Sequence, residues 1–249
     1  MSETAFVKRR KNFMKKILMA AAMAGLIAGA AFAKSNVKFE ASAGFAYGFS
    51  DIFATNSNTN TKSEFITNSL GLKAEGTMWL NDTLGIQLDT AFLWPMSTTS
   101  KVTDLSNGDT QSDTVNADGG QFVMNGFIGP VFKFNLNKNF DLAVGAGFDV
   151  ATYANTYSTN NVNGALLNGK SGKVTTSYWN FGIGATVDAT YKIDKQMGIK
   201  FGVTGAFLWG SQYHTHRHSD DGSYTSDTTT NSNNNAFYII PDISFVYKF

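Results

Sequence analysis

The chain has 249 residues, 43% of them hydrophobic and 16% charged, with 20 Lys or Arg against 19 Asp or Glu and no cysteine. This composition excludes an intrinsically disordered chain. The missing thiols exclude disulfides, thiolate metal sites, a cysteine nucleophile and a lipid-modified N-terminal cysteine.

At the N-terminus Lys8, Arg9, Arg10, Lys11, Lys15 and Lys16 precede "ILMAAAMAGLIAGAAFA", which closes on Ala31-Phe32-Ala33. Basic residues, then an apolar run, then an A-x-A ending predict a signal peptide over residues 1–33, with Met14 as an alternative start. The run is short and rich in Ala and Gly for an anchoring helix. Without it, 14 basic residues face 18 acidic ones, a formal charge of −4. No basic patch for nucleic acid survives, so none is expected as a partner. Residues 34–249 contain no later stretch apolar enough for a membrane helix, so any bilayer contact must be made by strands.

The first such strand is "NVKFEASAGFAYGF", where Val37, Phe39, Ala41, Ala43, Phe45, Tyr47 and Phe49 share one parity and Lys38, Glu40, Ser42 and Gly44 the other. The same period of two recurs near 65–80, 83–95, 121–136, 140–153, 174–193, 197–210 and 236–249. Eight strands are therefore predicted. Each exceeds the roughly 5 or 6 residues usual in soluble domains and suffices for the roughly 9 to 11 that cross a bilayer at a tilt. Tight turns are expected at Asn81, at Asn137–Asn139 and at Asp194–Gln196. Long polar loops are expected at "DIFATNSNTNTKS" and over 96–120, 154–173 and 211–235.

Volume decides which face looks inward. The apolar parity carries Phe45, Leu70, Leu88, Trp94, Ile128, Phe132, Phe148, Ile183, Phe201, Phe207 and Trp209, too much bulk for an eight-stranded interior. The opposite parity is dominated by Gly, Ala, Ser and Thr, which suit a narrow lumen. Asn68 and Thr90 on the outer parity, and Trp79 on the inner one, break the pattern, which leaves the strand register open at these positions or marks a local bulge. Short turns on one side, long loops on the other and aromatic residues near both strand ends are features of an outer-membrane barrel.

The last strand, "AFYIIPDISFVYKF", ends on Tyr247 and Phe249. This aromatic pair resembles the C-terminal signal read by the barrel-assembly machinery. The alternating strands and unequal connections resemble the small eight-stranded outer-membrane barrels of the OmpA, OmpX and OmpW kind. The resemblance implies an all-β, antiparallel up-and-down transmembrane barrel in the outer membrane of a diderm bacterium, with lipid and the assembly machinery as partners.

Inside, turn-side positions hold Lys38, Glu40, Lys73, Glu75, Asp89, Lys133, Asp188 and Lys200, expected to pair into a charged floor that plugs the barrel. Loop-side positions hold Phe65, Leu93, Val123, Phe127, Tyr153, Tyr178, Leu208, Tyr238 and Ile240, expected to line an apolar upper cavity. Resemblance to the OmpW branch implies that such a cavity passes small apolar molecules, with Pro130 or Pro241 loosening the wall for a sideways exit. The alternative is an OmpX-like structural or adhesin-like barrel that meets host or surface ligands through its polar loops.

His214, His216 and His218, followed by Asp220, have i, i+2, i+4 spacing that would put three imidazoles on one side of an extended segment, a candidate divalent metal site. No other cofactor is expected. Neither a phosphate-binding Gly loop nor a helical zinc motif nor a catalytic carboxylate pair is present, and His218 beside Ser219 is not an oriented base and nucleophile. No enzyme activity is expected.

Overall fold

A computed structural model of the chain describes residues 37–56, 58–115, 120–159, 171–232 and 234–249. The expected signal peptide lies outside the described residues. The strands are β1 Lys38–Asn56, β2 Thr61–Trp79, β3 Leu84–Asp104, β4 Thr110–Thr114, β5 Gly120–Asn135, β6 Phe140–Thr159, β7 Gly172–Lys192, β8 Met197–Ser219, β9 Thr225–Ser232 and β10 Asn235–Lys248. All pairings are antiparallel, and β10 pairs with both β1 and β8. The sheet therefore closes through eight wall strands, as expected, while β4 and β9 lie on β3 and β8 outside the closed wall.

The three predicted tight turns share one construction. The first residue donates its backbone N–H to the opening residue of the next strand: Leu80 to Leu84, Leu136 to Phe140 and Ile193 to Met197, at 2.9, 3.0 and 2.9 Å. The second residue, Asn81, Asn137 or Asp194, then accepts two backbone N–H bonds with its side chain, from Thr83 and Leu84, from Asn139 and Phe140, or from Gln196 and Met197. An Asx side chain that satisfies two otherwise orphaned donors is what makes four-residue connections stable here.

The outer face is apolar. Phe45, Ile183 and Phe148 are 66%, 61% and 52% exposed, and Leu70, Leu88, Ile128, Phe132, Phe201 and Phe245 continue the belt. Trp94, Trp209 and Phe237 lie exposed on its loop side. On its turn side Phe140 stacks near Tyr191 at 5.1 Å, and Phe249 near both Tyr247 and Phe39 at 4.9 and 5.8 Å. An exposed band of this size would be untenable in water and suits hydrocarbon.

The three departures from parity have separate causes. At Asn68 the β2–β3 register shifts, so that Asn68 opposes Ser97 but Ser69 opposes Pro95. Asn68 accepts from the Tyr47 hydroxyl at 2.5 Å and donates to Ser97 Oγ, which satisfies an amide on the outer face. Thr90 donates to the Asn125 carbonyl at 3.3 Å. Trp79 marks no bulge. It is a lumen residue, 3% exposed, whose indole lies over Gly85, where a Cβ would stand 2.7 Å from the ring.

Of the connections expected to be long loops, 51–63, 96–120 and 211–235 are largely strand, while 160–170 of the fourth lie outside the described residues. β1 and β2 stay paired to Asn56↔Thr61, leaving only a short turn where a long loop was expected. β3 reaches Asp104, β6 reaches Thr159, and most of 211–235 is β8 and β9. Above the apolar belt the inner face of these extensions stays buried but is mostly polar, as at Thr98, Thr176, Thr215 and Ser219, so the ladder continues without an apolar alternation to announce it.

Candidate functional site

The lumen is filled in two layers, a charged one toward the turns and an apolar one toward the loops. In the lower layer Lys133 pairs with Glu40 at 3.0 Å, Lys248 with Glu40 and Asp141 at 3.4 and 3.5 Å, and Lys192 with Asp141 at 2.6 Å. Above these, Lys73 pairs with Asp242 and Asp89 at 3.0 and 3.2 Å, and Lys200 with Glu75. Gln87 Nε2 and the Thr186 hydroxyl each donate to Asp188 Oδ2 at 3.3 Å. Ions so deep in a membrane barrel cost several kcal/mol each without partners, and pairing offsets that cost.

Seven of the eight expected floor residues belong to this network. Lys38 does not: its side chain is 68% exposed and bonds Asp82 in the first turn at 2.6 Å. As the first residue of β1 it lies at the barrel mouth, where a long stem reaches solvent and a turn carboxylate. Asp242 is an added member, legible from its shared parity with Ser244 and Lys248. A further buried carboxylate, Asp149, accepts from Asn125 Nδ2 at 2.6 Å.

The nine residues expected to line an upper cavity do meet, and they meet as a packed layer. Leu93, Val123, Phe127, Tyr153, Leu208, Tyr238 and Ile240 are each at most 1% exposed. All of these but Phe127 belong to one packed cluster with Ala46, Ile52, Ala91, Ala151, Ala206 and Ala236, and Phe65 and Tyr178 pack against it. Phe65 and Tyr178 stack at 6.0 Å, and Tyr178 and Tyr213 at 4.9 Å. Aromatic side chains from facing walls of so narrow a barrel reach one another and close the space they line.

The prolines interrupt the wall without opening it. The β5–β6 ladder skips from Ile128↔Phe148 to Val131↔Gly145 around Pro130, and the β1–β10 ladder from Ala46↔Asp242 to Phe49↔Ile239 around Pro241, as loss of a backbone donor requires. Beside the first break the backbones of Gly129 and Gly147 nearly touch: a Cβ on Gly129 would lie 2.7 Å from the Gly147 Cα. Beside the second, a Cβ on Gly48 would meet Leu93 Cδ1 at 2.4 Å.

The histidine stretch forms the end of β8, not a loop. Its three imidazoles share one parity of the strand, but they do not converge on a common point. Each Nδ1 instead meets β9: His214 with the Thr229 hydroxyl at 2.9 Å, His216 with Asp227 at 2.6 Å and His218 with the Thr225 hydroxyl at 3.2 Å. Among the described residues no three His, Asp or Glu side chains are placed to hold a metal ion. Ser219, the last residue of β8, is buried, donating to Asp221 at 2.6 Å and accepting from the Tyr224 N–H at 2.9 Å.

No protein-family model matches the chain, and no curated protein matches it in sequence. Solved structures do match in fold. The major outer membrane protein of Thermus thermophilus is 14% identical, with a TM-score of 0.50, over 86% of this chain and 100% of that one. OprG, an outer membrane protein of Pseudomonas aeruginosa, is 13% identical, with a TM-score of 0.48, over 85% and 95%. Neisserial surface protein A is 10% identical, with a TM-score of 0.41, over 86% and 98%.

A closed antiparallel wall, an apolar belt between aromatic ends and an interior of paired charges define a small transmembrane β-barrel. It is an outer-membrane barrel of the diderm type, and its fold is that of the small eight-stranded proteins.

Proposed function

We propose that this outer-membrane barrel is a surface-interaction protein that works through its loop-side hairpins, with an interior built to be sealed. One observation carries the reading. Above Leu93↔Val123, β3 leaves β5 and pairs with β4, and above Leu208↔Ala236, β8 leaves β10 and pairs with β9. Two polar hairpins thus rise beyond the belt. Among the described residues β4 and β9 are each paired on one side only. A free strand edge offers a row of backbone donors and acceptors to an extended segment of another protein. The packed apolar layer weighs against passage of small apolar molecules, which would have to displace buried side chains at a cost of several kcal/mol.

The test shortens one hairpin in register. Tyr213 opposes Thr230, so residues 214–229 are replaced by Asn-Gly, a favoured hairpin turn. Diderm cells displaying the shortened barrel should bind epithelial monolayers several-fold less than cells displaying the wild type, at equal surface amounts. Equal adhesion, together with quenching of tryptophan fluorescence when the purified barrel is titrated with apolar ligands, would favour the transport reading instead.

Tyr247 and Phe249 fit the role of an assembly signal, since both aromatic side chains remain exposed on the outer face of the closing strand. Phe249→Ser should lower the folded fraction in cell membranes while the purified variant still refolds in detergent. Equal folded fractions in cells would remove that role.

A further inference from the structure

Between the two ion-pair layers of the floor lies a pocket of about 20 Å³. It is lined from below by Glu40 and from above by Glu75, Lys200 and Asp188, with Ser42 and Trp79 at its sides. Three of these side chains carry buried polar atoms with no partner: Ser42 Oγ, Trp79 Nε1 and Asp188 Oδ1. All three residues are at least nine-tenths buried, at 9%, 3% and 3% exposure. They come from β1, β2 and β7, so the pocket is bounded by separate parts of the wall rather than by one local turn.

Orphaned polar atoms at this depth are costly, and a pocket of this size has room for one water molecule. The chemistry of the three atoms selects the occupant. The indole N–H can only donate, the carboxylate oxygen can only accept, and the hydroxyl can do either. An alkali cation would satisfy the carboxylate but face the indole N–H. An anion would satisfy the indole but face Asp188 and Glu75. Water accepts from one and donates to the other.

We infer that a single long-lived water molecule occupies this pocket, accepting from Trp79 Nε1, donating to Asp188 Oδ1 and bonded to Ser42 Oγ. It joins the lower ion-pair layer to the upper one and leaves the floor without a dry polar void. The site is separate from the hairpins and stands whether or not they bind a partner.

The experiment is water-exchange NMR on the full barrel in lipid nanodiscs, with nitrogen-15 in the tryptophan indoles. The chain has four tryptophans, and Trp79→Phe assigns the resonance of interest by its loss. The Trp79 indole proton should show a cross-peak to water with the sign of a molecule bound for longer than a nanosecond. Ser42→Val, which fills the pocket with methyl groups, should abolish that cross-peak while the remaining spectrum stays that of the folded barrel. If that variant does not fold, Ser42→Ala serves: it removes one partner and should weaken the cross-peak several-fold. A wild-type indole without a water cross-peak overturns the inference. So does a cross-peak untouched by the Ser42 variants, or a Trp79 resonance that moves when sodium is exchanged for choline, which would assign the pocket to an ion.

Discussion

Lys73 Nζ lies 3.0 Å from Asp242 Oδ1 and so ties β2 to β10, two strands that share no ladder. The same ammonium is 3.2 Å from Asp89, and all three side chains are at most 2% exposed. Its removal leaves two carboxylates buried beside no cation of their own. Lys73→Met should therefore cost about 3–5 kcal/mol, read as a lower urea midpoint of the refolded barrel. Lys73→Met combined with Asp242→Asn should recover part of the loss. A wild-type midpoint for the single variant would show that the pair contributes nothing.

Phe148 sits in the middle of the apolar belt, 52% exposed to the surroundings of the barrel. If those surroundings are hydrocarbon, Phe148→Arg should destabilise the barrel in liposomes by about 2–4 kcal/mol. His216→Arg, on the hairpin above the belt, should change stability by no more than about 0.5 kcal/mol. Equal effects at the two positions would contradict the placement of the belt.

Glycine is required inside the wall and dispensable outside it. A Cβ on Gly147 would stand 2.2 Å from the Ile128 carbonyl oxygen, whereas one on Gly205 finds nothing nearer than Tyr238 O at 3.9 Å. Gly147→Ala must push backbone against backbone beside the Pro130 break. It should destabilise by at least about 1–3 kcal/mol and lower refolding yield on a heat-modifiability gel. Gly205→Ala should refold like the wild type.

At the first turn, a hydrogen bond from Lys38, reinforced by its charge, holds the Asp82 carboxyl below its ordinary value of 3.8. A depressed carboxylate stabilises the fold above its unfolded pKa and loses that contribution as pH falls through the folded one. The pair is exposed, so its contribution to stability is small, and the titration itself is the readout. The Asp82 carboxyl carbon should titrate below 3.8 in the folded barrel and move back up in Lys38→Met. A midpoint indifferent to Lys38 would mean the bond does not persist in solution.

The parts of this molecule legible in its sequence are those the bilayer touches. Lipid on one side and a narrow lumen on the other force a strict period of two, so Phe45, Leu88 and Phe148 declare the outer face and Gly44, Lys73 and Gly147 the inner one. The same parity placed Glu40, Glu75, Asp89 and Asp188 in the floor. Above the belt the constraint vanishes, and Thr225–Ser232 reads as low-complexity loop although it pairs with the histidine segment of β8. The upper lumen exposed another limit. Parity chose Tyr153, Leu208 and Tyr238 correctly as inward residues, but whether such residues line a space or fill it depends on how far they reach across the barrel. Lys38 failed at a strand end, where a flexible stem follows the nearest carboxylate rather than the parity of its Cα.

The inward and outward assignment of the tryptophans is the most direct test of the whole structure. Trp94 and Trp209 are 37% and 53% exposed on the outer face, while Trp79 is 3% exposed within the floor. Variants retaining one tryptophan each, refolded into vesicles of brominated phosphatidylcholine, should show strong quenching for Trp94 and Trp209 and little for Trp79. Quenching of Trp79 with protection of the other two, or a chain that remains a dissolved monomer without detergent or lipid, would contradict it.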